Sequence, residues 1–143
     1  MALTQFHPAC QAWFQNTLGE PTPAQSQAWP AIQAGKHTLI AAPTGSGKTL
    51  AAFYTSINAL VQEAQSQSLP AQTRVLYLSP LKALGNDIER NLRQPLAGIE
   101  DELFMQGQRA ADIRVAVRTG DTSASERQKM LRQPPHILVT TPE

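Results

Sequence analysis

Leu39-Ile40-Ala41-Ala42-Pro43-Thr44-Gly45-Ser46-Gly47-Lys48-Thr49 is the stretch that decides the fold class. The apolar run from His37 to Ala41 predicts a short buried strand. It breaks at Pro43, Gly45 and Gly47, and a helical pattern opens at Lys48. Strand, glycine-rich turn and helix start is the context that gives a phosphate-loop match its meaning. Successive backbone N–H groups in such a turn form an anion-binding nest, and the partial positive charge of the helix N-terminus adds to it. Gly45 and Gly47 permit φ > 0 and close approach of the backbone to an anion. Lys48 is placed to reach β- and γ-phosphate oxygens, and the Thr49 hydroxyl to take one position on Mg²⁺. The usual pattern is G-x-x-x-x-G-K-[ST]; here Ala42 stands at the first glycine and the rest fits. By itself this element says nucleoside triphosphate, not which reaction.

The chain has 143 residues, enough for one domain with a core of its own. Its formal net charge is +1, so nucleic acid binding, if present, must come from local groups. The single cysteine, Cys10, excludes an internal disulfide and reads as a helix-packing residue. Apolar runs fall far short of the ~20 residues needed to span a bilayer. The N-terminus lacks a signal-peptide pattern. The expected compartment is the cytoplasm, without membrane association.

Around the phosphate loop the chain alternates strand and helix. Residues 1–19 predict a lead-in and one helix, with Pro8 in its first turn, Gly19 at its stop, and Trp13 and Phe14 packing inward. Phe6 is either a packing residue or an aromatic to stack on a purine. Thr22-Pro23-Ala24-Gln25 has the form of a capping box. The helix it opens should kink or split at Pro30 and end at Gly35. Gln25 then has two compatible roles: helix cap, and reader of the N6/N7 edge of adenine. A helix from Lys48 into the sixties carries Leu50, Ile57, Leu60, Val61 and Ala64 at core spacing. Further strands are predicted at Arg74–Ser79, Ile113–Val117 and His136–Thr140. A helical segment over 81–106 has an expected break at Pro95, and Ser123-Ala124-Ser125-Glu126 opens another helix. The alternation implies a mostly parallel sheet with right-handed crossovers. Ligands of such sheets sit beyond the strands' carboxyl ends. The segments 42–49, 79–82, 118–121 and 140–143 should therefore line one rim.

Pro-Thr-Pro-Ala-Gln (21–25), the phosphate loop, Ser-Pro-Leu-Lys-Ala-Leu (79–84), Arg-Thr-Gly-Asp (118–121) and Thr-Thr-Pro-Glu (140–143) occur in that order. The series resembles superfamily 2 helicases of the DEAD/DEAH type. In the wording of 76–87, 117–122 and 134–143 it resembles the large helicase-related (Lhr) group. The resemblance implies an incomplete first RecA-like domain at 36–143, preceded at 1–35 by helices with a Q-motif-like box. It makes Gln25 the adenine reader and Ala42, Pro43, Thr44, Gly45, Ser46, Gly47, Lys48 and Thr49 the nucleotide site. Lys48 and Thr49 are the catalytic pair, with Mg²⁺ held by Thr49 through ATP. It places Ser79, Pro80, Lys82, Thr119, Gly120, Asp121, Thr140 and Thr141 against nucleic acid. That partner is single-stranded DNA above all, or RNA or an RNA:DNA hybrid. Arg118 either contacts the strand or pairs with Asp121 or Glu126.

The family's Walker B Asp-Glu motif, arginine finger and second RecA-like domain do not occur before Glu143. The expectation is that a longer parent hydrolyses ATP and this portion alone does not. Two alternatives remain at this point: a P-loop phosphotransferase, and a non-catalytic nucleotide- or strand-binding module.

Overall fold

A computed structural model describes residues 2–43, 45, 47–80 and 82–142, without the side chains of Ala2, Lys82, Ala83 and Asn86. After a 3-10 turn at Ala2–Gln5 come helices α1 (Pro8–Thr17), α2 (Pro23–Gln33) and α3 (Lys48–Ser66). Then strand and helix alternate: β1 (Val75–Leu78), α4 (Lys82–Met105), β2 (Val115–Arg118), α5 (Ala124–Arg132) and β3 (Ile137–Thr140). The three strands form one parallel sheet in the order β1-β3-β2. Leu78, Thr140 and Arg118 are aligned at their carboxyl ends. The α/β class and the parallel pairing are those the alternation predicts.

Two expectations are corrected. The strand expected at His37–Ala41 is absent: these residues are irregular, and Leu39 is 92% exposed. A parallel strand needs a hydrogen-bonded neighbour, and among the described residues this segment pairs with neither outer strand. Proline also breaks less than expected. Helix α4 runs through Pro95, and α2 through Pro30. An interior proline costs about 3 kcal/mol. On α4, Leu92, Ile99 and Leu103 are fully buried, and each contributes about 1.5–3 kcal/mol. Tertiary packing outweighs the lost backbone bond.

One face of the sheet is built from Val75, Tyr77, Val115, Val117, Ile137 and Val139, which join the hydrophobic core with α3 and α4. The other face leaves Leu76 and Leu78 exposed. The N-terminal helices share this core rather than forming a second one. Phe6, Trp13, Phe14, Trp29 and Tyr54 make a set of ring contacts with centroids 5.0–6.4 Å apart. Edge-to-face pairs of this kind add about 0.5–1.5 kcal/mol each beyond burial. Phe6 is therefore a packing residue, 3% exposed, and not a surface platform for a purine. Cys10 lies in the same cluster, where burial pushes its thiol up to about 12. Its carbonyl accepts the Tyr54 hydroxyl.

At the amino ends of the strands, buried His136 joins three segments. The Arg114 N–H donates to its Nδ1 at 2.9 Å, so Nε2 carries the proton and donates to the Pro70 carbonyl at 3.2 Å. Burial, then the Arg114 guanidinium, hold its pKa below the ordinary value of 6.5, against a raising effect of the Pro70 bond; Arg74 and Glu63 act weakly in opposite senses. The unfolded imidazole takes up its proton at the ordinary value, before the folded one does. The contribution of His136 is thus complete above pH 6.5 and declines as pH falls from there. His136→Gln is expected to be less stable at neutral pH and to flatten the loss between pH 7.5 and roughly 5.5, read by thermal unfolding.

Helix α4 meets α1 at Gly98, where a Cβ would overlap the Trp13 ring. Gly98→Ala is expected to destabilise this packing by roughly 1–3 kcal/mol. Faster amide hydrogen exchange along α1 and α4 would register it; unchanged exchange would contradict it.

Candidate functional site

The first turn of α3 has the local structure of an anion site. Gly47 is its N-cap, in the left-handed region at φ 80°, with no side-chain cap. The first intrahelical bond runs from Ala51 N–H to the Gly47 carbonyl at 2.9 Å. The N–H groups of the opening turn therefore have no partner within the helix. The first turn holds no acidic residue to neutralise the positive end of the dipole. Gly45 also has φ near +84°. Lys48 is exposed and Thr49 half-buried. Ala42 is half-buried and Pro43 exposed; Thr44 and Ser46 lie outside the described residues.

Gln25 links this turn to α2. Both halves of the expected capping box are present: Thr22 N–H donates to Gln25 Oε1 at 3.0 Å, and Gln25 N–H to Thr22 Oγ1 at 3.3 Å. In addition, Gln25 Nε2 donates to the Gly47 carbonyl at 3.2 Å. Four residues further along α2, the Trp29 indole N–H donates to the Leu50 carbonyl at 3.3 Å. The amide of Gln25 is only 3% exposed. Its bond to Gly47 could not be foreseen, because the two residues are 22 apart and only the docking of α2 on α3 joins them.

Contacts along α3 set its direction. Glu63, near its carboxyl end, pairs with Arg74 just ahead of β1 at 3.0 Å. Phe53, near its amino end, meets Tyr77 of β1 with ring centroids 5.1 Å apart. Helix α3 is therefore antiparallel to β1, and its amino end lies toward the carboxyl ends of the strands. The Lys48 turn and the strand-end segments 79–80, 119–121 and 141–142 thus face one end of the sheet.

Those segments present themselves differently from the sequence expectation. Ser79 is fully buried, and its N–H donates to the Thr140 carbonyl at 2.7 Å. The Thr140 hydroxyl donates to the Arg118 carbonyl at 2.5 Å. Thr141 is 6% exposed, with Oγ1 buried and unpartnered among the described residues. Thr119 sits in a closed turn: its N–H donates to Thr122 Oγ1 at 2.9 Å, and Asp121 N–H donates to Thr119 Oγ1 at 3.2 Å. Pro80, Gly120, Asp121 and Arg118 are exposed. The Ser79, Thr119 and Thr141 side chains thus lie inside the rim, and Pro80, Arg118, Gly120 and Asp121 are what it exposes. Lys82 opens α4, and its side chain lies outside the described residues.

Arg127 on α5 went unnoticed in the sequence. Its Nη2 donates to the carbonyls of Thr119 at 3.0 Å and Gly120 at 3.4 Å. The available signal was its position one turn after the Ser123 cap, which aims it back at the preceding loop. The expected capping box there is half realised: Ser123 Oγ accepts from Glu126 N–H at 3.2 Å. An open cleft of about 970 Å³ lies along β2 between α4 and α5, and no residue of α3 lines it.

Residues 22–143 match the DEAD/DEAH box helicase family. The chain belongs to that family. It is 47% identical over 142 residues to the Lhr helicase/uracil glycosylase of Escherichia coli strain K12, covering 96% of this chain and 9% of that protein. It is 50% identical over 131 residues to the ATP-dependent helicase Lhr-Core of Methanocaldococcus jannaschii, covering 92% of this chain and 16% of that one. The solved structure of Mycobacterium smegmatis helicase Lhr bound to ssDNA and AMP-PNP superimposes with a TM-score of 0.90 at 48% identity. That match covers 99% of this chain and 17% of the solved one. The helicase chain thus spans between 9% and 17% of the length of these relatives. Among the described residues no helix is long and apolar enough to cross a membrane.

Gly47 is the residue this geometry restricts most. Its left-handed φ strains any side chain, and a Cβ would overlap Gln25 Nε2. Gly47→Ala is expected to separate α2 from the α3 turn, giving faster amide exchange at 22–25 and nucleotide binding weakened roughly tenfold or more. Unchanged nucleotide affinity would show that the turn tolerates the shift.

Proposed function

We propose that this chain is the part of an ATP-dependent helicase or translocase that holds the nucleotide phosphates and one face of a nucleic acid strand. The observation that carries the reading is the uncapped amino end of α3, with Lys48 beside it, facing the same end of the sheet as the strand-end loops. Helix N–H groups, positive-φ glycines and an exposed lysine fit a triphosphate. Residues 42–49 would hold it, and Lys48 would neutralise charge on its β- and γ-oxygens. No cluster of three or more His, Cys, Asp or Glu that could hold a metal exists among the described residues. Of this chain's residues, Thr49 would hold Mg²⁺ together with the phosphates, in keeping with its habit of binding few protein groups. Bound there, it would supply charge neutralisation.

Gln25 keeps one N–H and one oxygen lone pair beyond the bonds to Gly47 and Thr22. That donor and acceptor complement the N7 and N6 positions of adenine. The strand would lie over segments 79–82, 119–121 and 140–142, held through its sugar–phosphate backbone with no base readout. The bound ssDNA and AMP-PNP of the M. smegmatis relative support both ligands. Single-stranded DNA is the preferred partner, with RNA or an RNA:DNA hybrid as the other polynucleotides of the same chemistry. A phosphotransferase reading gains nothing from the cleft along β2, which no residue of α3 lines.

The test is ATP hydrolysis by the full-length protein with and without single-stranded DNA. Stimulation by DNA is expected, with loss of at least about a hundredfold in Lys48→Ala. Hydrolysis indifferent to DNA, or retained in Lys48→Ala, would overturn the reading. Equal use of ATP and GTP would remove adenine recognition from Gln25.

A further inference from the structure

We infer that Arg127 is a positioning residue for the strand grip: it turns the Thr119 and Gly120 carbonyls inward, so that the Gly120 N–H is left as the loop's donor to a phosphate oxygen. The inference rests on the strand-binding reading above and adds a residue which that reading does not use.

Most of the turn's other backbone groups and both threonine hydroxyls have partners. Thr119 N–H donates to Thr122 Oγ1 at 2.9 Å, and Asp121 N–H to Thr119 Oγ1 at 3.2 Å. Thr122 N–H goes to the Thr119 carbonyl at 3.2 Å, and the Thr122 hydroxyl to the Val117 carbonyl at 3.3 Å. Arg127 Nη2 takes the Thr119 and Gly120 carbonyls at 3.0 and 3.4 Å. Gly120 is exposed, and its N–H has no bond among the described residues. An outward carbonyl here would repel a phosphate; an outward N–H attracts one. The guanidinium behind the two carbonyls also polarises the turn in the favourable sense.

Arg127 does this at a cost. Its Nε is buried without a partner among the described residues, a state native proteins rarely keep without reason. The same guanidinium is too enclosed at Nε to meet a phosphate by that edge. The inference has it act through the loop and not by touching the strand, and that distinction is measurable. A cation in direct phosphate contact contributes about one unit to the slope of log Kd against log salt, whereas a neutral backbone donor contributes none.

The experiment uses the full-length protein and a fluorescent single-stranded oligonucleotide, titrated at several salt concentrations. Arg127→Ala is expected to weaken strand affinity about tenfold, leaving the salt slope and ATP affinity unchanged. Arg127→Lys, with one donor centre in place of the fork, is expected to fall between it and wild type. Thr122→Val opens the same turn from its other side, should give the same pattern, and replaces Arg127→Ala if that variant does not fold. Wild-type affinity in the variants would overturn the inference. A slope lower by about one in Arg127→Ala would also overturn it, by making Arg127 a direct contact. If wild-type protein does not bind the oligonucleotide at all, the strand-binding reading fails first and takes this one with it.

Discussion

A parallel strand is stable only with a hydrogen-bonded neighbour and cover on its faces, and that constraint governs the arrangement of this chain. β3 satisfies it on both edges, with β1 on one side and β2 on the other. β1 and β2 satisfy it on one edge each. Among the described residues, 37–41 satisfy it on none, and a run with the composition of a buried strand stays mostly exposed. One face of the sheet is covered by α3 and α4, which is why the phosphate-loop helix is in place although the strand before it is not.

The consequence for the site is that its position is set by helix packing. Helix α3 carries nine buried residues, among them Phe53, Tyr54, Ile57 and Val61. Its amino end is held laterally by Gln25 and Trp29 of α2, through the carbonyls of Gly47 and Leu50. The aromatic cluster of Phe6, Trp13, Phe14 and Trp29 around Tyr54 fixes α1 and α2 against it. The two N-terminal helices are thus structural supports of the α3 turn proposed to hold the nucleotide, whatever Gln25 does to a base.

Local signals in the sequence were legible where they act over a few residues. The capping box at Thr22–Gln25, the stop at Gly19, the start of α3 at Lys48 and the three paired strands all follow from short-range chemistry. Signals that depend on distant partners were not. Pro95 and Pro30 read as breaks because the burial that offsets them is contributed by other elements. Phe6 is ambiguous until Trp29 and Tyr54 are seen to enclose it. Ser79, Thr119 and Thr141 were placed against nucleic acid by the family resemblance, and small hydroxyl residues at strand ends do suit a phosphate strand. They suit buried turns equally well, and only the register of β1, β3 and β2 distinguishes the two. Arg127 was invisible for the same reason: an arginine on a polar helix has no mark until the loop it holds is folded.

Inward hydroxyls change what kind of grip the rim offers. A surface of side-chain hydroxyls on flexible rotamers would pay side-chain entropy at each contact. Here the Thr140 hydroxyl is committed to the Arg118 carbonyl, the Thr119 hydroxyl to the Asp121 N–H, and the Thr122 hydroxyl to the Thr119 N–H and the Val117 carbonyl. The exposed remainder is the Gly120 backbone together with Pro80, Arg118 and Asp121. If the proposed reading holds, a preorganised neutral donor such as the Gly120 N–H suits a protein that must hold any sequence and then release it, because it carries no base preference and adds little to the salt-dependent affinity. On the proposed reading, release then requires the loops to move as bodies. The β1 carboxyl end and the Lys48 turn are joined through the Phe53–Tyr77 contact on α3, so a shift of α3 against the sheet is the shortest physical route from phosphate to strand.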